Sequence, residues 1–165
     1  MSSESIVTAL FLISAVIAAG VLISAIFPAI YRTADTFGSV SHESDVQMRT
    51  DIKIVNYFCT ITGEDQYAKI WLKNIGTYRM GTAEIDDSDI FFGQSGNFER
   101  LPIYGYYNTG ELGNNFWDPG ETLTITIHKS DLTDENCWPS TEDNDAYFAI
   151  VLPNGVRRSV EFAAD

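Results

Sequence analysis

Between Glu4 and Arg32 the sequence carries no charged side chain. As a helix that run of about 27 residues spans roughly 40 Å at 1.5 Å per residue, more than the roughly 30 Å hydrocarbon core of a bilayer. A helix buried inside a small domain keeps a polar stripe on one side, and apart from hydroxyl groups this one has none. It therefore requires lipid, or other helices like itself. Ser14 with Ala18, Ala15 with Ala19 and Gly20 with Ser24 are small residues four apart, the spacing that lets helix backbones approach closely in an apolar medium. These six are the candidate packing residues of a homo-oligomer formed through the N-terminal helix, with membrane lipid as the other partner. Pro28 removes one backbone donor late in the run and predicts a local kink rather than an end. A cleaved secretory signal is not expected: the residues before the run hold one acid and no base, and the run exceeds the usual apolar core of about 7–15 residues. No basic leader precedes the helix either, so the reading is a segment kept in the working protein.

Beyond Tyr31 the sequence turns polar without a break, with no proline and one glycine over residues 32–49. Ile30, Ala34, Phe37, Ser41, Ser44 and Met48 follow a 4-3-4-3-4 spacing, which predicts a helix continuing to about Met48; the other reading is a loosely helical linker. From Asp51 the period changes to two. Residues 52–61 and 67–75 are β-branched and aromatic, separated by a turn at Gly63, and read as strands. Shorter strands are expected at 89–92 and near Ile103 and Tyr104, and Asp118-Pro119-Gly120 reads as a turn into a strand over 121–128. A final pair, 147–152 and 156–162, is joined at Asn154-Gly155, a strong hairpin signal. Six or seven short strands with turns between them predict an all-β immunoglobulin-like sandwich head, residues 51–165, on one long N-terminal hydrophobic helix, residues 1–50.

The net charge of −13 and pI of about 4.3 fall almost wholly on the head. Such a surface repels nucleic acid and anionic lipid, so nucleic-acid binding is excluded. A catalytic centre is not expected, because His42 falls in the helical stretch and His128 ends a strand, leaving no seat for a paired nucleophile and base. No phosphate loop or metal-binding motif occurs, and no cofactor is expected. The loop clusters 86–89 and 142–145 are rich in carboxylates, and Asp143 and Asp145 are weak candidates for calcium. Neither cluster follows the EF-hand pattern, and solvated loop acids are the default.

Cys59 and Cys137 either pair or remain thiols. A disulfide closing a loop of that length would stabilise the fold by about 4 kcal/mol in the chain-entropy model and would imply an oxidising compartment. Unpaired, Cys59 is a small hydrophobe in an apolar strand and Cys137 lies in an exposed loop. Tyr104, Tyr106, Tyr107 and Trp117 concentrate in what reads as a long loop. Such aromatics are candidates for contact with protein or carbohydrate, or else they cover the open end of the sandwich.

Residues 69–77 (KIWLKNIGT), 89–93 (DIFFG), 97–102 (NFERLP) and 117–123 (WDPGETL) resemble the archaellum accessory protein FlaG family of archaea. The likeness runs from the apolar helix to the last strands. It implies the type IV pilin-like layout, a hydrophobic helix followed by a β-sandwich, and a non-enzymatic part of the archaeal swimming motor. It further implies a cytoplasmic-membrane anchor with the head outside, forming a filament and meeting the partner FlaF or the surface-layer protein. The archaellins, which build the extracellular filament itself, share this architecture and form the alternative. A membrane-anchored carbohydrate-binding module is a third reading. Arg32, Arg49 and Lys53 follow the apolar run while no Lys or Arg precedes it, a bias that opposes an external head; the resemblance is given the greater weight.

Overall fold

In the computed structural model, which describes residues 3–108 and 112–165, the chain forms two compact units divided between Ser44 and Asp45. The first is helical. Helix α1, Ser3–Arg49, runs through Pro28 without ending, and none of its residues is buried. At about 1.5 Å per residue it is roughly 70 Å long. It is long and apolar enough to cross a membrane. Hydroxyls along it bond back to the preceding turn: Thr8 donates to Glu4 O at 2.8 Å, Ser24 to Gly20 O at 2.9 Å and Thr33 to Ala29 O at 2.8 Å. Such back-bonding to the preceding turn removes most of the penalty of carrying hydroxyls into an apolar medium.

The second unit is built from antiparallel strands. β1 (Ile52–Cys59) pairs with β2 (Tyr67–Asn74), which pairs with β7 (Thr122–His128). A four-stranded sheet runs β5 (Asn97–Pro102), β4 (Asp89–Gln94), β8 (Asp145–Val151), β9 (Arg157–Ala163). A short ladder joins β3 (Met80–Gly81) to β6 (Phe116–Trp117), and a single helical turn, α2 (Thr82–Asp86), follows β3. Alternation puts Ala68, Ile70, Leu72, Leu123, Ile125 and Ile127 of the first sheet into the core with Ile90, Phe92, Phe148 and Ile150 of the second. This is the two-sheet sandwich that the period of two predicts.

One element departs from the sequence expectation, and the two compact units divide inside α1, whose last turn belongs to the second unit. The strand expected near Ile103 and Tyr104 lies earlier, as β5, with Ile103 instead a fully buried turn residue. β5 is an edge strand in which only Leu101 is buried, so its sequence shows no alternation. The Ser95-Gly96 pair before it, with Gly96 at φ +89°, is the turn signal that marks it.

Candidate functional site

The motifs shared by 69–77 and 117–123 meet where the end of α1 enters the sandwich. Asn74, the last residue of β2, is fully buried. Its side-chain amide donates to Tyr78 O at 2.9 Å and to Trp117 O at 3.0 Å, and its carbonyl oxygen accepts from Gly76 N at 3.0 Å. Its backbone is engaged as well, with Asn74 N donating to Glu121 O at 3.0 Å and Gly120 N to Asn74 O at 2.7 Å. One side chain thus ties the turn at 75–78 to the Asp-Pro-Gly turn. Trp117 closes the same node, its indole N–H donating to Glu121 O at 3.0 Å.

The turn at 75–78 in turn grips the chain leaving α1. Arg49 O accepts from Thr77 N at 2.9 Å and Tyr78 N at 3.1 Å, and Asp51 O accepts from Ile75 N and Gly76 N, both at 2.9 Å. Arg49 O is one of the carbonyls a helix end leaves without partners. A Cβ on Gly76 would meet the backbone of Arg49 and Asp51, so the close approach demands glycine. From the other sheet, Asn154 of the β8–β9 hairpin donates to Thr50 Oγ1 at 2.8 Å, and the Thr50 hydroxyl donates to Val46 O at 2.7 Å. Arg158 donates to Ile52 O at 3.0 Å and pairs with Asp51. Both sheets therefore clamp the helix terminus.

The other expected site residues scatter. Ser14, Ala15, Ala18, Ala19, Gly20 and Ser24 are all exposed along α1. Trp117, expected among the loop aromatics that make contacts, is fully buried, because the β3–β6 ladder and the Asp-Pro-Gly turn fold it inward. Tyr107 is also buried, its hydroxyl donating to Asp86 Oδ1 at 2.7 Å; burial and that carboxylate push its phenol well above the usual range. Tyr104 and Tyr106 alone remain at the surface. Of the calcium candidates, Asp145 is drawn into β8 opposite Ala163, and no group of three His, Cys, Asp or Glu that could hold a metal occurs among the described residues.

The disulfide is not formed. Cys59 and Cys137 are both free and both buried, which also corrects the exposed placement of Cys137. Cys59 is held in β1 opposite Ala68, and burial pushes its thiol up to about 12. Cys137 donates from Sγ to Asn97 Oδ1 at 3.5 Å; burial, then Asp134 and Glu99, raise it too. Both are thiols rather than thiolates at neutral pH, so alkylation at pH 8 is expected to be at least about tenfold slower in the folded chain than in urea. Rapid labelling of either in the folded chain, read by mass spectrometry, would contradict this burial.

Comparison with known proteins now decides the class. A family model described as archaeal-type flagellin matches residues 2–162. The chain belongs to the archaeal-type flagellin family. An uncharacterized protein of Archaeoglobus fulgidus is 30% identical over 170 residues, covering 99% of each chain. Among solved structures, the archaeal flagellum of Methanospirillum hungatei overlays with a TM-score of 0.72 at 13% identity, covering 100% of this chain and 94% of that one. The periplasmic stator protein FlaG from Sulfolobus acidocaldarius overlays at 0.48 and 24% identity, covering 68% of this chain and 99% of that one. The FlaF and FlaG stator complex from the same organism overlays at 0.49 and 20% identity, covering 67% and 87%. Membership of that family makes this chain an archaellum-related structural protein. Its helix-then-sandwich layout is the type IV pilin-like one.

Proposed function

We propose that this protein is a membrane-anchored, filament-forming stator component of the archaellum that links the motor to the cell envelope. The observation that carries the proposal is the clamp on the C-terminal end of α1. Thr77, Tyr78, Asn154 and Arg158 bond to the chain over residues 49–52 from both sheets, as a part that transmits load between helix and sandwich requires. The motifs resembling FlaG build much of this clamp, and the charge-free run of α1 supplies an anchor. Ser14, Ala15, Ala18, Ala19, Gly20 and Ser24 are the small residues through which copies associate, and the sandwich meets an FlaF-type protein or the surface layer outside the membrane.

The competing role is a subunit of the extracellular filament, favoured by the full-length likeness to the Methanospirillum hungatei flagellum. Location separates the two. With cells sheared and fractionated, a stator component is expected at low copy in the membrane fraction. Recovery of the chain as a major component of sheared filaments would overturn the anchor and leave the family and the fold in place. Mass spectrometry of the N-terminal peptide in each fraction adds whether the retained form is processed.

A further inference from the structure

A concavity of about 690 Å³ opens on the outer face of the β2–β7 pair, within the size range of small-ligand sites, about 300–1,000 Å³. Its floor is the outward face of the sheet, where Lys69 stands opposite Thr126 and His128 ends β7. Its wall is the segment after β5, fixed against β7 by a hydrogen bond from Thr126 N to Tyr106 O at 2.8 Å and by the bridge between Tyr107 and Ile125. Gly105, at φ +92°, makes the turn that sets Tyr104 and Tyr106 on this wall. The concavity is thus built by paired backbone rather than by a loose loop.

Its lining has an unusual balance for a protein-docking surface. Among the described residues Pro102 is the one aliphatic side chain along it, and its outermost ring, Tyr104, stands in the open rather than in the desolvated pocket where protein hot spots sit. An aromatic face and polar tips make up most of the rest. Tyr104 is 72% exposed, so its ring is offered to a ligand rather than to the core. Tyr106 is partly buried against the core, and burial followed by Asp131 and Glu99 keeps its phenol protonated, able both to donate and to accept. Lys69 and Asp131 bring opposite charges to the same concavity. An aromatic face for C–H groups, ringed by hydroxyl, ammonium and carboxylate groups, is what a sugar ring with its hydroxyls requires. The chain's net charge of −13 disfavours an acidic ligand.

From this geometry we infer that the sandwich carries a binding site for a neutral oligosaccharide, with Tyr104 as stacking platform and Tyr106, Lys69, Thr126, His128 and Asp131 as hydrogen-bonding groups. The site lies apart from the clamp on α1 and does not depend on the stator assignment.

The test is isothermal titration of the full chain in dodecylphosphocholine micelles, a detergent without a sugar headgroup, with maltohexaose, chitotetraose and oligogalacturonate. Binding of at least one neutral oligosaccharide is expected at millimolar concentration or below. Tyr104→Ala, at an exposed position, should weaken it by about three- to tenfold, Lys69→Ala should weaken it as well, and Phe98→Ala on the other sheet should not. Absence of binding to both neutral oligosaccharides would overturn the inference, as would preference for oligogalacturonate or affinity indifferent to Tyr104→Ala. Capture of a protein partner at this surface by a chain that binds no saccharide would also refute it.

Discussion

Replacing Asn74 with alanine is expected to destabilise the sandwich by roughly 2 kcal/mol or more, because each buried partner left unsatisfied costs about 1–3 kcal/mol. Tyr78 O and Trp117 O lose their bonds at once, while Gly76 N keeps the one it makes to Asp51 O. No side chain of similar volume restores them, since an aspartate cannot donate to the two carbonyls and a leucine supplies neither donor nor acceptor. The change should appear as a lower midpoint in urea, followed by tryptophan fluorescence of the full chain in micelles. Asn136→Ala is the control: its amide donates to Asp134 Oδ1 in an exposed bond at 2.8 Å, and its loss should move stability by less than about 0.5 kcal/mol. A comparably small effect at Asn74 would show that the turn at 75–78 holds without it. Because that turn bonds to Arg49 and Asp51, the variant also reports on the clamp proposed to carry load.

Ala18→Arg is expected to abolish assembly through α1. Ala18 lies at the centre of the charge-free run, and a cation there costs roughly 3 kcal/mol in a bilayer, about a hundredfold in an equilibrium. Between packed helices the arginine would also lack room. Ala18→Leu separates the two effects: it remains apolar and should retain the chain in the membrane fraction, while its bulk holds helix backbones apart and weakens association. Cross-linking in membranes, together with fractionation, reads both quantities. Wild-type association in Ala18→Leu would remove Ala18 from the packing face, and wild-type behaviour in Ala18→Arg would place this part of the helix in water.

What the sequence by itself determined is whatever depends on neighbours in the chain. The run from Ser5 to Tyr31 has one apolar character on every side, so its helical state and its need for lipid or other helices were legible directly. Strands β2 and β7 announced themselves by alternation, β1 by its β-branched and aromatic residues, and the β8–β9 hairpin by Asn154-Gly155, where Gly155 adopts a φ of +83°. Residues 117–123 read as a turn into a strand and are one.

Only the tertiary structure decided which side chains that follow no period are covered. Trp117 and Cys137 sit in elements too short to show a period, where neighbouring residues say nothing about burial; the first belongs to the two-residue ladder and the second to a single helical turn between β7 and β8. The same holds for Asn74, an unremarkable strand-end amide until groups from two separate turns converge on it. The hold on the end of α1 has the same origin. Hydrogen bonds from residues 75–78 and 154 to the last turn of α1 are made across long sequence separations, and a pattern in local sequence cannot record a partner that only folding brings within reach.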